Sequence, residues 1–160
     1  MAVLTRVAEF FGLDDEGWER HANPWSVYTR FAIFPALTLV LLQWGVWGWW
    51  TVLPVAALLI FTKINPRLFP AVQRNSGWCW AAVMGEKVWL SADARIPQIR
   101  LHWAGVLSIA QVFPVAIWLI GLIFLWPWVA IVGMLGTLAT KLLFLDQMVK
   151  LYREVEGSDP

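Results

Sequence analysis

A chain of 160 residues that is 59% hydrophobic, only 14% charged and carries a net charge of +1 is too apolar for an ordinary water-soluble domain and too weakly basic to track nucleic-acid phosphates. Its thirteen tryptophans point the same way, because indole collects at membrane–water interfaces. The single cysteine, Cys79, excludes an internal disulfide and a cysteine-rich metal site, and reads as a small buried filler.

The first segment, residues 1–27, opens with MAVLTRVAEFFGLDDEGWERH. It does not read as a signal peptide, since Arg6 and Glu9 interrupt the required apolar core and acids stand where a small-residue cleavage site belongs. Val3, Leu4, Val7, Phe10 and Phe11 share one helical side, which predicts a short amphipathic helix at the interface. RHANPWSVYTRFAIFP, Arg20 to Pro35, then places a histidine and an Asn-Pro turn ahead of an anchoring Trp25 and Arg30.

No charge occurs from Phe31 to Thr62, or from Trp103 to Thr140. A bilayer core of about 30 Å takes roughly 20 apolar residues, with about 17 tolerated, so runs of 32 and 38 residues are too long for one helix and suit two short ones. Each run breaks near its middle, at WGVWGWW (Trp44 to Trp50) and at WPW (Trp126 to Trp128), the composition of an interfacial turn. The expected fold is therefore an all-α integral membrane protein with four transmembrane helices, as hairpin 28–64 with spans 28–44 and 47–64, and hairpin 103–146 with spans 103–125 and 128–146.

Between the hairpins lies a loop, residues 65–102, opening on the Asn65-Pro66 turn. It offers a helix from Trp78 to Ser91 that is apolar on nearly every side except Glu86-Lys87, so it should tuck under the bundle or into the headgroup layer. Beyond the second hairpin, Leu145, Val149 and Tyr152 continue an apolar face and Asp146 and Lys150 a polar one, so the tail 147–160 should begin as an amphipathic helix. All twelve Lys and Arg fall in segments 1–30, 63–100 and 141–160, none in the hairpin turns. By the positive-inside rule both termini and the central loop are cytoplasmic. Trp44, Trp47, Trp49, Trp50, Trp126 and Trp128 form the outer aromatic belt, and Trp118 alone lies at mid-membrane.

The hairpins also show a weak internal repeat. His21, Phe34-Pro35, Trp44 and Thr62-Lys63 run in the same order as His102, Phe113-Pro114, Trp126 and Thr140-Lys141.

No ionisable group lies inside either apolar run, which disfavours a coupled transporter, and no hydrolase, phosphate-loop or dinucleotide motif occurs. Gln111, the one sizeable polar side chain within a span, is expected to bond between helices. The candidate site is the polar layer at the cytoplasmic interface: His21, Asn23, Arg30, Asn65, Arg67, Glu86, Lys87, His102, Lys141 and Asp146. Asn23-Pro24 and Asn65-Pro66 read as helix-opening turns, and Arg30, Lys63, Arg100 and Lys141 as residues that snorkel towards headgroups. Glu86 needs an outside partner, with Arg30, Arg67 or Arg74 the nearest candidates in pattern. His21 and His102 would be equivalent if the repeat holds, which makes a bis-histidine haem b one alternative, although no cofactor is called for by any ligand spacing.

HANPWSVYTR, INPRLFP, GEKVWL and KLLFLDQMV resemble the motifs of a prokaryotic family of small, Trp-rich polytopic membrane proteins catalogued as a domain of unknown function. The resemblance runs from about Trp18 to Tyr152 and implies a four-span protein whose motif residues include His21, Asn23, Pro24, Ser26, Arg30, Asn65, Pro66, Arg67, Phe69, Gly85, Glu86 and Lys141. It implies no activity. The leading expectation is a non-catalytic subunit, scaffold or assembly protein of a prokaryotic inner membrane, contacting membrane lipid and further copies of itself or a larger complex. The alternative is an enzyme or carrier for an anionic lipid headgroup, with Arg30, Arg67 and Lys141 holding the phosphate and Glu86 or His21 as acid/base.

Overall fold

The computed structural model describes residues 15–73, 77–91 and 95–156. The amphipathic helix expected before Gly12, and Arg74, lie outside those residues. Helix α1 (Asp15–His21) leads into α2 (Pro24–Leu42); α3 (Trp44–Trp47) and one 3-10 turn (Gly48–Thr51) lead into α4 (Val52–Leu68). The second half comprises α5 (Trp78–Ser91), α6 (Gln98–Ala110), α7 (Val112–Ile123) and α8 (Pro127–Glu156). Four helical stretches are long and apolar enough to cross a membrane: α2, Trp44–Leu68, Gln98–Ile123 and α8. The protein is thus an all-α membrane-spanning protein. The end of the bundle that carries the described Lys and Arg residues is called its basic side below.

Local chemistry sets the boundaries. Asn23 caps α2, its side-chain oxygen accepting from Trp25 N at 3.0 Å, while Pro24 occupies the first helical position, where its missing N–H costs nothing. Asn65-Pro66 behaves differently from the expected helix-opening turn. It lies inside the last turn of α4, which runs on to Leu68, because a proline there forfeits one backbone bond while the Asn65 amide is used against α2. Pro114 likewise offers no N–H to the Ala110 carbonyl, and the third span kinks at Gln111 without parting: Gln111 N still reaches Leu107 O at 3.0 Å. The turn after α7 is a Schellman motif, with Trp126 N donating to Gly121 O at 2.7 Å and Leu125 N to Leu122 O at 3.2 Å. Its left-handed position holds Leu125, φ 52°, and Pro127 then opens α8.

The two hairpins are held together by different means. In the second, α7 and α8 approach to backbone contact: a Cβ on Gly133 would sit 2.2 Å from Trp118 N, and one on Gly121 2.2 Å from Ala130 N. In the first, Asn65 is fully buried and reaches α2, accepting from Ser26 Oγ at 2.7 Å and donating to Thr29 Oγ1 at 2.7 Å. Between hairpins, Trp118 Nε1 donates to Thr38 Oγ1 at 3.0 Å, and the ring packs on Phe34 at a centroid distance of 4.9 Å. Without that acceptor the indole N–H would stand unsatisfied at membrane depth.

Half of the buried apolar core lies outside the four apolar stretches, and most of the rest is at the basic end of α8. Only 6% of the most apolar window is buried in Trp44–Leu68 and in Gln98–Ile123, which leaves those helices facing lipid. At 30 residues α8 is about 45 Å long, more than the hydrocarbon core requires. Its excess carries α5, with Ala81, Ala82, Phe144, Leu145, Met148 and Leu151 buried together. Gly85 lets the helices touch, since a Cβ there would fall 2.1 Å from Met148 O. A second cluster, including Trp18, Ala22, Val27, Cys79, Trp80 and Met84, joins α1 to the other side of α5. Cys79 is the buried filler expected of it, and α5 tucks beneath the bundle. The six tryptophans at the opposite end are exposed, as an aromatic belt requires, whereas Trp18 and Trp80 of the basic side are core residues.

Candidate functional site

Between the hairpins, with its charged lining at the basic side, is a cavity of about 520 Å³. Its walls come from α2 (Val27, Phe31, Phe34), α5 (Ala82, Val83), α7 (Val115, Trp118) and α8 (Leu138, Leu145), and are apolar. Its polar lining includes His21, Arg30, Glu86, Gln111 and Lys141. Helix α4 contributes nothing to it.

Each charged group reaches this head by an identifiable route. Arg30, nearly two turns into α2, turns back to α1: Nε donates to Ser26 O at 2.9 Å, Nη2 to His21 O at 2.6 Å and Nη1 to His21 Nδ1 at 2.8 Å. The guanidinium thereby joins the last turn of α1 to the first turns of α2. Lys141 Nζ donates to Glu86 Oε1 at 2.6 Å, linking α8 to α5, and lies 4.8 Å from the Phe144 ring centroid. Glu86 thus takes its partner from α8, not from Arg30 or Arg67, because the Gly85–Met148 approach lays α5 along α8. Burial, then the charges of Arg30 and Lys141, push the His21 imidazole down to about 3, so at neutral pH it is uncharged and accepts from Arg30.

Gln111 belongs here too. The antiparallel pairing of Gly133 with Trp118 and Gly136 with Pro114 puts Gln111 level with Lys141. It lines the cavity and makes no hydrogen bond to another helix among the described residues, contrary to the expected interhelical bond. The sequence signal was its isolation as a large polar side chain in an apolar run; what was missing was the register.

The structure brings His21, Arg30, Glu86 and Lys141 together and leaves the other candidates apart. Asn23 caps α2 and donates to Pro70 O at 3.1 Å, fixing the chain after α4. Asn65 closes the first hairpin. Arg67 is exposed on α4. Lys87 pairs with Asp15 at 2.7 Å on the surface, holding that carboxyl below its usual range, and Asp146 pairs with Lys150 at 2.7 Å along α8. His102 is exposed on α6, edge-on to Trp103, and does not line the cavity that His21 lines. Arg100, expected to snorkel, instead binds Glu154 and Gln147 of α8. Among the described residues no group of three His, Cys, Asp or Glu side chains is placed to hold a metal ion.

Over residues 2–160 the sequence matches DUF6653, a family of unknown function. The chain belongs to that family. No curated protein and no solved structure matches it. The family match and the four apolar helices agree on a membrane protein of uncharacterised role, and the cavity is where a role for this DUF6653 member has to be sought.

Proposed function

We propose that this protein is a non-catalytic resident of a prokaryotic cytoplasmic membrane that holds a membrane amphiphile in the cavity between its hairpins, with the basic side in the cytoplasm. The observation that carries the reading is the convergence of Arg30, Lys141, Glu86 and His21 on the head of an otherwise apolar cavity. A volume of about 520 Å³ lies within the usual range for small-molecule sites. A charged head with an apolar body matches a molecule that is itself divided in that way. The twelve-to-none distribution of Lys and Arg supports the orientation.

Binding fits the head better than chemistry. A general base needs a free lone pair near the pH of operation, yet the His21 ring is occupied by Arg30 and sits far below that range. Glu86 is tied to Lys141.

The test is mass spectrometry of the protein purified in a mild non-ionic detergent, beside a Val115→Trp variant that fills the cavity. The parent is expected to carry a stoichiometric amphiphile that the variant lacks while remaining monodisperse and helical. Equal lipid content in the two proteins would sink the proposal.

A further inference from the structure

We infer that the occupant of the cavity is a monoanion with a single hydrocarbon chain, and that Glu86 competes with its headgroup for Lys141. This rests on the reading of the cavity as an amphiphile site and adds the chemical class of the ligand.

Charge gives the first half. Arg30 and Lys141 bring two positive charges to the head, Glu86 brings one negative, and His21 is neutral. Lys141 and Glu86 satisfy each other at 2.6 Å. Arg30 does not share in that pair: its bonds run to Ser26 O, His21 O and the His21 ring, all uncharged, and among the described residues no carboxylate stands within ion-pair distance of it. Three of its five N–H groups are so engaged, leaving two for a ligand. Glu86 reaches Arg30 only at longer range and is already paired with Lys141, so the head keeps one net positive charge at the edge of the membrane, and one negative charge in the cavity balances it. A carboxylate or a phosphodiester presents paired oxygens that suit the fork, and the Gln111 amide at the same level offers a further donor.

Volume gives the second half. At about 30 Å³ for each water-sized group, 520 Å³ accommodates roughly 17 non-hydrogen atoms. That is a headgroup with one chain of about a dozen carbons. Phe31, Phe34, Val115, Trp118 and Leu138 surround the chain.

Competition by Glu86 follows from position. An anion entering beside Arg30 also meets Lys141, whose ammonium has one carboxylate partner and further N–H groups free to turn. Glu86→Gln removes the competing charge, so it should tighten binding, a direction that general damage to the fold does not produce.

The full chain in maltoside micelles is titrated calorimetrically with laurate, with the phosphodiester dodecyl methyl phosphate and with dodecanol as the uncharged match. One or both anions should bind at least about tenfold more tightly than dodecanol, Glu86→Gln should strengthen that binding by about threefold or more, and Val115→Trp should abolish it. Preference for laurate assigns a free fatty acid as the source, and preference for the phosphodiester assigns a phospholipid-type headgroup; either supports the inference. Dodecanol binding as tightly as the anions overturns the monoanion and leaves the amphiphile site standing. Unchanged or weaker anion binding by Glu86→Gln overturns the competition. Absence of binding by every probe, with bound amphiphile still removed by Val115→Trp, overturns the ligand class alone; absence of any bound amphiphile as well overturns both readings.

Discussion

The two hairpins occupy similar lengths of chain and are fastened in opposite ways. The second is closed along its length by small residues, Gly121, Ala130 and Gly133, that bring α7 and α8 to backbone contact. The first has no such seam among its described residues and is closed near its basic end by the Asn65–Ser26–Thr29 bonds, with Arg30 and His21 just beyond. In lipid there is no hydrophobic drive between helices, so dispersion and hydrogen bonding are the available means of association. Placing them on different hairpins leaves one rigid wall and one wall fixed at its base, and the cavity lies between the two.

Breaking the rigid wall should have the largest effect. Gly133→Val puts a side chain where Trp118 backbone already stands 2.2 Å from a Cβ, and should cost about 3 kcal/mol or more in SDS-titration unfolding, or prevent assembly. Acid should act on the other hairpin. His21 is held down at about 3 against 6.5 when exposed, so below pH 6.5 the unfolded chain takes up a proton that the folded chain refuses. Stability should therefore fall as pH drops from 6.5 towards 3, by at most about 1.4 kcal/mol per pH unit from this group, and His21→Gln should lose that slope. Asn65→Ala removes two interhelical bonds from the first hairpin and should cost about 1–2 kcal/mol in the same unfolding assay, while the equivalent loss does not arise in the second. Trp118→Phe sharpens the comparison least, since it deletes the bond to Thr38 that joins the hairpins, for about 0.6 kcal/mol, and keeps a ring to pack on Phe34. A larger loss there would mean that the bridge, not either hairpin, sets the cavity shape.

Much of this was legible in residue patterns. Charge-free runs with Trp-rich breaks mark two hairpins because the bilayer fixes span length, and the apolar stretch from Trp78 to Ser91 coincides with α5. The site was only half legible. His21, Arg30, Glu86 and Lys141 stand out as polar residues beside apolar runs, yet their meeting depends on Gly85, whose missing side chain lets α5 lie against Met148. His102 and Arg67 carry the same sequence signal and sit elsewhere, because periodicity reports which side of one helix a residue takes and not the rotation of that helix against its neighbours. Gln111 was assigned to a helix contact for the same reason. The apparent repeat pairs His21 with His102, although one is half-buried against Arg30 and the other is exposed.

The saddle of α5 on the far end of α8 also imposes an order of events on biogenesis. Residues 78–91 leave the ribosome before the stretch around Met148 that buries them, and at about 5–20 residues per second the interval is on the order of 3–12 s. For that time the first hairpin is inserted while the face of α5 that meets α8 has no protein surface to cover it. Arrival of Met148 and Leu151 then closes the core and brings Lys141 to Glu86, so the cavity head is completed only by the last helix to be made.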